Sequence, residues 1–231
     1  MKTLWRWLGR ALLAAFALLL LWQVWLFAQV AWWRTHNPDS TSFMRLRLDA
    51  LQEKKPDARL RHTWVPYEQI SIHLKRAVVA AEDDGFVDHE GFDWDGIQRA
   101  LEKNERKGRP VSGGSTISQQ LAKNLFLSPS RSYFRKAQEA VITVMIEQLW
   151  SKRRILEVYL NVVEWGNGIF GAEAAARRYY GLPASRLGPA EAARLAVMLP
   201  NPRKYERSFG PRLAAHADRI RGRMAWAEVP P

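Results

Sequence analysis

Apolar residues fill positions 11–33 almost without a break, with only Gln23 and Gln29 interrupting them. As a helix rising 1.5 Å per residue, such a run reaches about 35 Å and can cross a hydrocarbon core about 30 Å thick. Lys2, Arg6 and Arg10 precede it. Trp22, Trp25, Trp32 and Trp33 crowd its second half, the last two suited to an interfacial belt. A cleaved signal peptide is the alternative, opposed by the length of the run and by bulky tryptophans where a small-residue cleavage site should fall. The pattern predicts a cytoplasmic tail at 1–10, a transmembrane anchor at 11–33, a linker at 34–63 and one domain at 64–231. The short basic tail keeps the N-terminus cytoplasmic and sends the domain across the membrane.

Past Arg34 the pattern turns polar, with room for a short helix at 42–52 before Lys54-Lys55-Pro56-Asp57. From Trp64 the spacing is helical. Pro66 stands where a first-turn proline would, and Ile70, Leu74, Ala77, Val78 and Ala81 share one face. Further helices are predicted at 94–107, from Ser115 or Thr116 to before Pro129, at 135–163 with a break near Ser151, and at 171–180, 189–198 and 211–224. A breaker-rich loop occupies 107–114. No stretch alternates with the period of a strand, so the fold class is all-α or mainly α.

Charge sharpens this picture. Lys and Arg number 35 against 23 Asp and Glu, a formal +12, of which the first 33 residues hold only three basic side chains. The excess belongs to the domain and suits an anionic partner: nucleic acid, anionic lipid or a phosphate-bearing substrate. The absence of cysteine excludes disulfides, a thiolate nucleophile and a cysteine-held zinc.

Three clusters carry candidate chemistry. Glu82, Asp83 and Asp84 fall at the predicted C-terminal end of a helix, where the macrodipole disfavours negative charge, and Gly85 is placed to end that helix. Mutual repulsion there raises at least one carboxyl pKa, as a general base requires; a solvated acidic helix end is the plainer reading. Gly113 and Gly114 precede Ser115 and Thr116, and Thr116 with Gln119 matches a capping box. A helix N-terminus behind glycines is a natural anion site, with Gln119 and Lys123 on one face, although an ordinary capped helix fits as well. Lys123, Arg131, Arg135 and Lys136 form an acid-free cationic stretch followed by Glu139. A carboxylate among cations can position a phosphate or a metal, or simply make a surface ion pair. Downstream, Ile155, Leu156, Tyr159 and Leu160 read as core.

In order, Glu82-Asp83-x-x-Phe86-x-x-His89-x-Gly91, Gly114-Ser115-Thr116-Ile117-x-Gln119-Gln120-x-x-Lys123-Asn124, Arg135-Lys136-x-x-Glu139 with Glu147, Lys152-x-x-Ile155-Leu156-Glu157-x-Tyr159-Leu160-Asn161, Gly171-x-x-x-Ala175-Ala176 and Leu199-Pro200-x-Pro202 resemble the peptidoglycan glycosyltransferase family. That family includes class A penicillin-binding proteins and monofunctional biosynthetic transglycosylases. The resemblance runs from about Trp64 to Tyr205 and implies a lysozyme-like, mainly helical domain partly seated in the membrane. The implied reaction polymerises lipid II: the GlcNAc 4-hydroxyl attacks C1 of MurNAc with inversion, releasing undecaprenyl pyrophosphate.

Carried residue by residue, the resemblance makes Glu82 the base and Glu139 a second glutamate near the leaving pyrophosphate. Lys123, Arg131, Arg135 and Lys136 become pyrophosphate ligands, and Ser115, Thr116, Gln119 and Gln120 substrate-binding residues. Asp83, Phe86 and His89 become supports. No cofactor is required, although some members use a divalent cation, Mg or Mn, at the pyrophosphate, and no dedicated metal cage is visible here. Expected partners are lipid II, the growing glycan chain, the membrane and other wall-building proteins, with no nucleic acid. Position 84 is acidic where the family often has a small residue. No Ser-x-x-Lys or Lys-Thr-Gly occurs, so no transpeptidase activity is expected. A lysozyme-like lytic enzyme and a non-catalytic membrane scaffold are the rival readings.

Overall fold

Helices dominate the computed structural model, which describes residues 2–108, 114–130 and 132–231. The chain divides into two units, one ending at Pro38 and one spanning Asp39–Pro231. The first is largely helix α1 (Lys2–Trp33), long and apolar enough to cross a membrane, with Leu13, Leu18, Leu21 and Val24 exposed. The stretch expected as a separate tail is helical from Lys2 onward. Its Leu, Trp, Arg and Lys residues are compatible with helix, and Gly9 alone weakens it.

The second unit contains, in chain order, α2 (Ser42–Gln52), β1 (Arg61–His62), α3 (Ile72–Glu82), α4 (Trp94–Lys107) and α5 (Ile117–Phe126). Then come α6 (Tyr133–Leu149), α7 (Lys152–Val162), β2 (Glu164–Gly166), β3 (Ile169–Phe170), α8 (Ala172–Tyr180), α9 (Pro189–Ala196), α10 (Pro202–Arg207) and α11 (Pro211–Arg223). The segment expected as a linker is therefore folded from Asp39 onward. Thr41 caps α2 by accepting from the Met44 N–H at 3.1 Å, α2 packs on α5, and Arg47 pairs with Glu164 at 2.8 Å. The expected break between α6 and α7 falls at Trp150 and Ser151, where the Ser151 side chain caps the second helix.

Three short strands form a sheet in the order β1-β3-β2, parallel on one side and antiparallel on the other. Strands this short cannot display a period-two pattern, so none was expected. Buried Asn161 ties the segment after β1 to α7: its side chain accepts from Val65 N–H and donates to Val65 C=O, both at 2.9 Å.

Two features place the site. The helix expected to begin at Pro66 is a single 3-10 turn (Tyr67–Gln69), and α3 starts only at Ile72, because Ser71 caps it and donates its hydroxyl to Leu187 C=O at 2.7 Å. α3 then buries Leu74, Ala77 and Val78 against α9 and α11. Gly91 lets the loop after α3 pass against α6. It has φ +90°, and a Cβ there would lie 2.7 Å from the Thr143 methyl and 2.9 Å from Glu147 Cγ. We expect Gly91→Ala to lower stability by about 1–3 kcal/mol through backbone strain and this clash; thermal unfolding in detergent checks it, and an unchanged midpoint would contradict the packing described.

Candidate active site

α3 ends on Glu82. Asp83 leaves the helix with φ −164°, ψ 73°, so the helix stops there rather than at Gly85, which has no positive φ. The cause lies in Asp83 itself, whose buried carboxylate accepts from His89 Nε2 at 2.8 Å and from the Ile117 N–H at 2.9 Å. The second of these bonds caps the first turn of α5 and locks the end of α3 onto the start of α5.

Glu82 remains free to face the opposite way. Gln120 Nε2 on α5 donates to Glu82 Oε2 at 2.8 Å, and the Tyr159 hydroxyl on α7 donates to Gln120 Oε1 at 3.0 Å. The phenol thus fixes the amide orientation that presents N–H to the carboxylate. Burial pushes the Glu82 carboxyl up. Gln120 and the charge of Lys123 pull it part of the way back, and Asp83 adds to the rise. Burial also holds Tyr159 well above the ordinary phenol value, keeping it a donor. Tyr159 read in sequence as core; buried as it is, its hydroxyl still reaches Gln120.

The glycine-flanked helix start is a true capping box: Thr116 Oγ1 accepts from Gln119 N–H at 3.2 Å and Gln119 Oε1 from Thr116 N–H at 3.1 Å. Thr116 also donates to Gly91 C=O at 2.7 Å. Both residues are buried, so two side chains expected to touch substrate are engaged in local structure, as is Gln120, which addresses Glu82. Ser115 stays exposed. Phe86 is fully buried beneath the turn, with His89 edge-on to it and Lys152 Nζ 4.8 Å from its ring centre.

The cations gather beside this turn. Arg135 and Lys136, in the first turn of α6, both pair with buried Glu139, and Lys136 Nζ reaches Ser115 Oγ at 3.5 Å. Lys123 feels both Glu139 and Glu82. Burial lowers its pKa first, Glu139 opposes that, and Arg135 and Lys136 lower it further. Arg135 Nε is buried with no protein partner among the described residues. Arg131 and the loop at 109–113 lie outside the described residues.

Three adjoining cavities run across the site. One of about 160 Å³ contains Glu82, Ser115 and Thr116, and one of about 230 Å³ shares Ser115 and adds Lys136. The third, about 750 Å³, meets the first at Asp84 and Asp93 and is lined by Asp88, Glu90, Phe92 and Trp94, whose two rings stack 5.6 Å apart. Among the described residues no group of three or more His, Asp or Glu side chains is placed to hold a metal. Both Glu139 oxygens are taken by cations, so this donor set does not fit a protein-held divalent ion.

In this helical domain a desolvated carboxylate and a cation cluster share the field of Lys123. In comparison with known proteins, residues 49–225 match the family described as transglycosylase. A biosynthetic peptidoglycan transglycosylase of Aromatoleum aromaticum is 76% identical over 230 residues, covering 100% of both chains. Proteins of the same name from Dechloromonas aromatica (62% identical, 100% of both chains) and Thiobacillus denitrificans (65% identical, 92% of both chains) are also similar. The chain belongs to the transglycosylase family, and it is a glycosyltransferase. The match extends beyond Tyr205 to take in all of α11.

Because the folded-state pKa of Glu82 is raised, the native protein binds more protons than the unfolded chain between the two pKa values, and stability falls as pH rises through that window. Above it, ionised Glu82 costs stability. Glu82→Gln should therefore unfold no lower than the parent at pH 8, with any advantage lost in acid; a large drop at pH 8 would show Glu82 to be a structural group.

Proposed function

We propose that this protein polymerises lipid II into linear glycan strands at the outer face of the cytoplasmic membrane, without transpeptidase activity. The observation that carries the reading is the pairing of a desolvated carboxylate, Glu82, with cations that outnumber their one carboxylate, Glu139, and share Lys123 between the two. Glu82 takes the proton of the acceptor GlcNAc 4-hydroxyl. The freed oxygen forms a bond to C1 of MurNAc from the face opposite the leaving group, the C1–O bond to pyrophosphate breaks with its electron pair, and the anomeric centre inverts.

Negative charge grows on the departing undecaprenyl pyrophosphate. Lys123 and Arg135 are largely desolvated, and the more exposed Lys136 is held beside them by Glu139, so the three stabilise the transition state with little reorganisation. The Arg135 Nε–H is a donor without a protein acceptor among the described residues, as a phosphate oxygen needs. Glu139 keeps Arg135 and Lys136 in place. The large cavity on the other side of Glu82 is rich in carboxylates and repels pyrophosphate, so the charge pattern orients the substrate, and its Phe92–Trp94 stack offers apolar faces to sugar rings. Tyr133 and Phe134 are exposed beside the cations and suit a lipid interface. α1, with its basic N-terminal residues, anchors the enzyme on that membrane.

A lytic reaction is disfavoured because the carboxylates that share the Glu82 cavity are committed elsewhere, Asp83 to His89 and the Ile117 N–H, Asp84 to Arg223, Asp93 to the Gly96 N–H and Arg99, and Glu139 is held by its cations. Purified protein in detergent should convert lipid II to long glycan, and Lys123→Ala or Arg135→Ala should lower kcat/KM by about a hundredfold while the fold persists. Two parent-like variants would place the pyrophosphate elsewhere, and shortening of preformed glycan without polymer would establish the lytic reading. Gln120→Leu removes a hydrogen bond that favours the charged form of Glu82. The acid limb of its pH–rate profile should therefore move to higher pH; an unmoved limb would separate Gln120 from the base.

A further inference from the structure

We propose that Arg223, at the end of α11, is a positioning residue for Glu82; the inference rests on reading Glu82 as the base. A helix leaves its last carbonyls without backbone donors. Since the chain turns away at Asp83, Ala80 C=O is such a group, and Arg223 Nη2 donates to it at 3.0 Å. The same nitrogen donates to Asp84 Oδ2 at 3.0 Å. The two acceptors flank Glu82 on either side, one on the backbone before it and one on the side chain after it. A guanidinium on another helix therefore grips both sides of the residue, and α11 is itself fixed by packing on α9 and α3.

Arg223 also lines the small cavity that contains Glu82 and Ser115. Its side chain and that of Asp84 are 52% and 64% exposed, so the pair contributes little as an ion pair. Its effect is geometric: it fixes where the turn ends, engages Asp84 away from Glu82, and gives a function to a basic segment outside the motifs. A lysine, a point charge without the planar fork, reproduces this only in part.

The test is lipid II polymerisation by the full chain in detergent, followed across pH, for Arg223→Ala, Arg223→Lys, Asp84→Asn and the Ala/Asn double variant. Arg223→Ala should lower kcat about tenfold with KM nearly unchanged, since small displacements of a reacting group are costly. The unfolding temperature should stay nearly that of the parent. Arg223→Lys should recover part of the rate, and the double variant should be no worse than Arg223→Ala, as expected of coupled residues. Parent-like kcat, or additive losses in the double variant, would overturn the proposal. If Arg223→Ala does not fold, Asp84→Asn decides: a lowered kcat with KM nearly unchanged supports the positioning role, and parent-like kinetics refute it. Glu82→Gln, run alongside, separates the two claims. An active Glu82→Gln removes the base assignment itself, whereas an inactive one beside a parent-like Arg223→Ala refutes the positioning role alone.

Discussion

A carboxylate at the carboxyl end of a packed helix sits where both the macrodipole and the loss of solvent oppose its charge. Everything around Glu82 handles that conflict. Gln120, held in one orientation by Tyr159, gives the carboxylate a hydrogen bond, and Lys123 gives it a distant counter-charge. The two neighbouring acids are turned away, Asp83 onto His89 and the start of α5, Asp84 onto Arg223. All three acids line the small cavity at the end of α3, and Glu82 is the one without an ion pair among the described residues.

From that placement follows the sorting of charge across the site. The cations of α5 and α6 lie on one side of Glu82, pinned by a single buried glutamate, and a carboxylate-rich, aromatic cavity lies on the other. Breaking a buried ion-paired cluster by removing one partner is costly, so Glu139 matters to the fold as well as to the arrangement of charge. On the proposed reading, a transferred sugar with an anionic leaving group meets this field in one orientation, with its leaving group toward the cations and its glycan away from them.

Much of this was legible in the chain. The bounds of α2 and α4, the capping box at Thr116 and Gln119, and the break before α7 are local features, written in spacing and capping residues a few positions apart. The cluster of Arg135, Lys136 and Glu139 was legible for the same reason, since its members share one helix face. What escaped is non-local. The strands are two or three residues long, too short to show a period, and Asp39 to His62 looked like linker because its partners, α5 and β3, lie far downstream in the sequence. Apolar spacing correctly made Tyr159 a core residue but could not show that its hydroxyl ends beside Gln120. Capping logic correctly found Thr116 and Gln119, yet the same bonds that make the cap engage the groups assigned to substrate. Asp84 had no account until α11 brought Arg223 to it across 139 positions of sequence.

The central claim is that Glu82 titrates in a desolvated setting and that its ionisation governs the reaction. An isotope-edited infrared titration of the glutamate carboxyls, with the Glu82 band identified by its loss in Glu82→Gln, measures this directly. The account predicts a Glu82 pKa above the ordinary carboxylate value and coincident with the acid limb of lipid II polymerisation. A Glu82 band that titrates in the ordinary range, or an acid limb that falls elsewhere, would contradict it.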